Sequence, residues 1–123
     1  MGDKSEELSE RFLNYSVRII RFIERIKDNF AGRHISGQLF RAGSSAGANY
    51  EEARAGESRA DFIHKMQIVL KELRESRYWL RLIQKSQLLS ENDPELSELL
   101  QETGELAKII ARSIITAKNR RNQ

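Results

Sequence analysis

The chain has 123 residues, enough for one domain (1–123) that buries a core without staples. It contains no cysteine, which excludes a disulfide framework, a thiolate metal site and a cysteine nucleophile, and which fits a reducing compartment. A composition of 39 % hydrophobic and 32 % charged residues describes a charge-rich helical protein, and no apolar run approaches the roughly 18 residues of a membrane span.

The first residues are polar and acidic, unlike a secretory signal, and Glu6 breaks the myristoylation pattern. A cytoplasmic protein with no membrane partner is therefore expected. The net charge is only +3, but it is unevenly spread. Residues 59–88 carry seven Lys/Arg against three Asp/Glu; residues 89–105 carry six acids and no Lys/Arg; residues 106–123 carry five bases and no acids. Such asymmetry raises the prospect of a polyanion partner.

Four helical patterns follow one another. Helix 1 is expected from Ser5 to Phe30, because Leu8, Phe12, Tyr15, Ile19, Ile23, Ile26 and Phe30 recur on one face. Ala31-Gly32-Arg33 reads as its stop signal. Helix 2 is expected from Ser36 to Ala55, with Ile35, Leu39, Ala42, Ala46, Tyr50 and Ala53 inward and Gly56 after its end. Gly43 and Gly47 stand four apart inside this helix. Each costs about 1 kcal/mol relative to alanine, so their presence predicts a backbone-close neighbour.

Ser58 reads as the N-cap of helix 3, with Asp61 in a box-like position three residues later. The helix runs to Gln87, with Phe62, Met66, Val69, Leu73, Ser76, Leu80 and Ile83 inward. Asn92 or Asp93 caps helix 4, and Pro94 sits in its first turn, where proline is tolerated. Its stripe is Leu96, Leu99, Thr103, Leu106, Ile110, Ile114 and Ala117. Its acidic start and basic end complement the helix dipole without needing a partner. Short connections between long helices favour an all-α, antiparallel, up-down-up-down four-helix bundle.

Some apolar side chains fall off these stripes: Leu13, Val17 and Ile20 on helix 1, and Ile68, Trp79 and Leu82 on helix 3, the latter interleaved with Glu72 and Glu75. A wide core arc could absorb them. A subunit interface, with the acids pairing to arginines of the next chain, is the sharper reading.

The stretch from Gly37 to Leu82 carries the densest pattern. It holds Arg41-Ala42-Gly43-Ser44-Ser45-Ala46-Gly47-Ala48-Asn49-Tyr50-Glu51-Glu52-Ala53, then Glu57-Ser58, Asp61 to Met66, Leu70 to Ser76, and Tyr78-Trp79-Leu80. Over about residues 36–83 the chain resembles the bacterial four-helix-bundle proteins encoded in intervening sequences of 23S ribosomal RNA genes. It is more distantly similar to accessory variability proteins of diversity-generating retroelements. The resemblance implies a four-helix bundle and a ring-like homopentamer, which favours the interface reading, and a link to ribosomal RNA intervening sequences. It implies no biochemical activity. Arg41, Asn49, Glu51, Glu52 and Asp61 match the family pattern and are read as structural. Arg41 and Glu52 are expected to pair with neighbouring helices, and Asn49 to hydrogen-bond across the bundle.

Catalysis is not indicated. A di-metal carboxylate bundle needs inward glutamates and two Glu-x-x-His elements, whereas this chain offers one approximate match, Asp61-x-x-His64, and two histidines in all. His64 reads as a surface residue and His34 as part of the helix 1–2 connection. Glu51 and Glu52 are adjacent, so on a helix they diverge by about 100°. Gly43-x-x-x-Gly47 has no following Lys-Ser or Lys-Thr and no preceding strand, so it is not a phosphate loop. No enzyme, cofactor or metal is expected.

The cations are the remaining signal. Lys71, Arg74, Arg77, Arg81 and Lys85 share about a third of the circumference of helix 3 with Tyr78. Arg11, Arg18, Arg21 and Arg25 form a comparable stripe on helix 1, and Lys118, Arg120 and Arg121 extend the tail. Such stripes neutralise phosphates, and Tyr78 could stack on an unpaired base. The bland alternative is a solvated face laced with salt bridges. The expectation is a non-enzymatic binding protein for RNA or DNA, with a nucleic-acid enzyme as a candidate partner. The alternative is a protein-interaction scaffold.

Overall fold

A computed structural model describes residues 3–90 and 92–121, without the side chain of Arg121. Four helices follow in order: α1 Lys4–Ile23, α2 Phe30–Arg54, α3 Arg59–Ser86 and α4 Pro94–Arg121. Each begins on a side chain that accepts an otherwise orphaned backbone N–H. Asp3 accepts from Glu6 N at 2.7 Å, Asn29 from Gly32 N at 2.7 Å, Ser58 from Asp61 N at 3.0 Å, and Asp93 from Glu95 N at 3.0 Å. Pro94 opens α4 at the position that needs no donor.

Contacts between helices fix their directions. Gly43 lies against Ile19, and Gly47 against Phe12, so α2 descends as α1 rises. His34 meets Trp79 while Arg41 meets Glu72 and Glu75, so α3 reverses α2. Arg11, Arg18 and Arg25 meet Glu102, Glu95 and Asp93 in that order, so α4 reverses α1. The helices pack cyclically, α1 on α2, α2 on α3, α3 on α4 and α4 on α1. This is an up-down-up-down four-helix bundle with α1 diagonal to α3.

The expected inward stripes of α2 and α4 are buried throughout. Burial of each large apolar side chain contributes about 1.5–3 kcal/mol. At mid-bundle the Tyr15 hydroxyl meets Thr103 Oγ1 at 2.5 Å, and Thr103 donates in turn to the Leu99 carbonyl at 2.6 Å. Burial pushes the Tyr15 phenol up to about 12. The polar layer is thus closed, and among the described residues no buried side-chain N or O lacks a partner.

Several expectations about elements are corrected. Helix 1 ends at Ile23, not Phe30, and Ala31-Gly32-Arg33 is the first turn of α2 rather than a stop. The i→i−3 bonds Arg25 N to Phe22 O and Ile26 N to Ile23 O tighten the end of α1, and the Asn29 cap restarts the chain. Gly32 is needed there because a Cβ would collide with the Lys27 carbonyl. Phe30 therefore leaves the α1 stripe and lies exposed, and Phe22 takes a core place instead. His34 belongs to α2, not to a connection. On α3, Ile63 is buried where Phe62 was expected, and Phe62 packs half-buried against the core.

Candidate nucleic-acid interface

The fold separates the cations into two populations. Arg11 and Arg18 of α1, and Arg25 just past its end, are bound to acids of α4 and its cap. Arg11 holds Glu102 at 2.7 Å and Glu105 at 2.6 Å; Arg18 holds Glu95 at 3.2 Å and Glu98 at 3.6 Å; Arg25 pairs with Asp93. The Arg11 hydrogen bond holds the Glu102 carboxyl below its usual range, and the Arg25 hydrogen bond does the same for Asp93. Arg18 and Arg25 are therefore part of an intramolecular ladder rather than an open basic stripe. The acids of α4 do have partners, contrary to the dipole-only reading. Arg21 is exposed and makes no ion pair among the described residues.

Arg41 reaches from α2 to α3, as its position in the family pattern suggested. Its guanidinium lies 3.0 Å from Glu72, which is only 6 % exposed, and also pairs with Glu75. Glu75 accepts the indole N–H of Trp79 at 3.1 Å. That hydrogen bond, reinforced by Arg41, holds the Glu75 carboxyl below its ordinary value. Trp79 stands edge-on to His34 and to Tyr78, with centroids 6.0 and 5.1 Å away. Glu72 and Glu75, expected to face another chain, are thus engaged within this one. Trp79 and Leu82 pack half-buried against the core, and Ile68 is half-buried.

The other family-pattern residues make contacts of different reach. Gly43 and Gly47 bring α2 against α1: a Cβ on Gly43 would overlap Ile19 Cδ1, and one on Gly47 would stand 3.3 Å from Phe12 Cβ. Glu51 accepts from the Ser9 hydroxyl of α1. Asn49 donates to the Ser45 carbonyl of its own helix at 2.9 Å, so it does not bridge the bundle. Glu52 is exposed and makes no ion pair among the described residues, so the expected pairing is absent there. Asp61 gives its N–H to Ser58, and its carboxylate closes over Gly56.

The second population of cations is on α3. Lys71, Arg74, Arg77, Arg81 and Lys85 are all exposed, and none has an ion pair among the described residues. At 1.5 Å per residue they extend over roughly 20 Å. Tyr78 lies among them, 60 % exposed. Arg74, Arg77, Tyr78, Arg81, Leu82 and Lys85 line one shallow hollow of about 440 Å³. The remaining candidates do not join this face. Arg21 lies on the diagonal helix, while Lys118 and Arg120 are exposed at the end of α4 that meets the start of α3. The side chain of Arg121 lies outside the described residues.

A separate apolar face lies along α1 and α2. Leu13 is 59 % exposed, and Val17 and Ile20 are exposed beside it. Phe40 of α2, 40 % exposed, completes a groove of about 550 Å³ with Ser9, Ser16, Ser44 and Ala48. Phe40 was missed from the sequence, although its place next to the inward Leu39 puts it off the stripe by about 100°. Among the described residues no three of His, Asp and Glu converge as metal ligands, and no helix is long and apolar enough to cross a membrane.

The molecule is thus an all-helical bundle whose distinguishing features are surfaces. The profile of the 23S rRNA-intervening sequence protein family matches residues 5–112, and the chain belongs to that family. It is also similar to a solved protein of unknown function from the S23 ribosomal protein family of Bacteroides thetaiotaomicron. The two share 31 % identity over 86 % of this chain and 96 % of that one, with a TM-score of 0.77. No curated protein matches the chain. The family is of unknown function, and no enzyme is among these matches.

Proposed function

We propose that this protein is a non-enzymatic nucleic-acid-binding bundle whose contact surface is the outer face of α3. One contrast carries the reading. Arg11, Arg18, Arg25 and Arg41 are each neutralised by acids of a neighbouring helix or its cap, whereas Lys71, Arg74, Arg77, Arg81 and Lys85 on the outer face of α3 form no ion pair among the described residues. A surface evolved only for solubility has no need to concentrate like charges, which repel one another. A polyphosphate backbone supplies the missing counter-charge and releases its own counterions on binding. Long, flexible side chains on one helix favour phosphate contact over base reading, so sequence preference is weak.

A salt titration tests this. Binding to labelled RNA and DNA weakens as salt rises, with a logarithmic slope of about 0.9 per phosphate contact for duplex DNA and about 0.7 for single strands. Changing Arg74 and Arg81 to Gln flattens the slope without unfolding the chain, because both lie off the core. An unchanged slope in the folded double variant removes the basis for the proposal and favours a protein-interaction scaffold. The exposed Leu13, Val17, Ile20 and Phe40 groove supports a second element of the reading, assembly into a homo-oligomer; the number five is implied by the family resemblance alone. Assembly multiplies a weak basic face into a multivalent one.

A further inference from the structure

We infer that the α3 face is selective for unpaired strands, because the hollow beside Tyr78 is a stacking site for an exposed base. This rests on the nucleic-acid reading above and names its substrate class. The hollow joins two kinds of surface. Arg74, Arg77, Arg81 and Lys85 supply a cationic rim, while the Tyr78 ring and the Leu82 side chain supply apolar area between them. At about 440 Å³ it falls within the size range of small-ligand sites.

The ring is held ready. Tyr78 packs edge-on to Trp79 at 5.1 Å, with an interplanar angle of 79°. Trp79 is itself fixed by its N–H bond to Glu75 at 3.1 Å and by its contact with His34. Glu75 is in turn tied to Arg41. A braced aromatic ring loses little freedom on binding, so more of the stacking energy appears as affinity. A duplex would satisfy only the rim, because its bases are already stacked and paired, and the apolar area would stay wet. An unpaired strand satisfies both, placing a base on Tyr78 while its phosphates reach the flanking cations.

The test compares a labelled oligouridine and oligothymidine of roughly 15 nucleotides with a mixed-sequence duplex of the same length at low salt. The full chain is used as parent and as Tyr78→Ala, Tyr78→Phe and Arg74→Gln/Arg81→Gln variants. The parent prefers the single strands. Tyr78→Ala weakens single-strand binding by about fivefold to a hundredfold, the range of one base–aromatic stack, and leaves duplex binding unchanged. Tyr78→Phe retains the preference, and the double arginine variant weakens both kinds of ligand. Trp79 is the only tryptophan and packs against Tyr78, so its emission reports changes in the ring that lines the hollow. Equal binding of strand and duplex, or equal losses of both in Tyr78→Ala, overturns stacking while leaving the basic face a general nucleic-acid surface. Displacement by polyglutamate as effective as by oligouridine overturns it in favour of an acidic protein partner. No binding of any probe by the parent overturns both readings.

Discussion

Replacing Gly43 by alanine sets two effects of known size against each other. Helix propensity favours alanine by about 1 kcal/mol. Against this, the new Cβ overlaps Ile19 Cδ1 and stands 3.6 Å from Tyr15 Cε2. Ile19 and Tyr15 are completely buried, so the end of the Ile19 side chain has no open space to enter. Forcing a methyl group into such a core costs about 1–3 kcal/mol. The expected net effect is a loss centred near 1 kcal/mol, or about 4 °C in Tm for a domain of this size. Ile19→Val deletes the overlapping atom and alone costs about 0.5–1.5 kcal/mol. Combined with Gly43→Ala, it leaves the new methyl a void to fill, so the double variant is more stable than the sum of the two by about 1–2 kcal/mol. Gly37 is the internal control, since a Cβ there meets nothing within 4 Å and Gly37→Ala gains the propensity term in full. Urea unfolding at fixed chain concentration reads the differences as shifts in midpoint at constant slope. If Gly43→Ala stabilises as much as Gly37→Ala, or if the cycle is additive, α1 does not approach α2 at this point.

Acid should destabilise the bundle through its inter-helix carboxylates. The Glu75, Asp93 and Glu102 carboxyls are lowered by hydrogen bonds from Trp79, Arg25 and Arg11 respectively, so each binds protons less readily folded than unfolded. Their stabilisation is complete above the unfolded carboxylate range near pH 4 and is lost as pH falls through the lower folded values. Thermal melts should hold level from neutrality to about pH 5 and then decline; a profile still flat near pH 3 contradicts this. Light scattering should give a multiple of the 14.3 kDa chain mass, and Leu13→Glu should lower it while preserving helicity. A parent that scatters as a monomer at micromolar concentration rules out assembly through the α1–α2 face.

Periodicity revealed most of the bundle because three helices have stripes that match their buried residues nearly one for one. The α1–α2 boundary was hidden because Ile26 and Phe30 continue the spacing of α1 across the break. What ends the helix is the Asn29 cap and the close approach of Lys27 to Gly32, neither of which has a periodic signature. Gly43 and Gly47 were readable because a helix-breaking residue at an inward position demands a tertiary explanation. The arginines were not. Along both helices they recur at one-face spacing, and only the placement of α4 beside α1 distinguishes paired cations from open ones. Asn49 misled for a related reason: an amide inside a helix can satisfy itself on its own backbone, and the sequence contains no sign of which choice wins.

Arg41 stands on a different helix from the α3 cations, yet it sets the potential they project. Glu72 and Glu75 lie within one turn of Lys71 and Arg74, close enough to quench them. By drawing both carboxylates toward α2, Arg41 acts as an electrostatic insulator between acids and bases that share a single helix. Without it, Glu75 would keep only its Trp79 hydrogen bond and would offer more of its charge to the outer cations, of which it already feels Lys71. The openness of a surface can therefore depend on a residue that never touches what binds there.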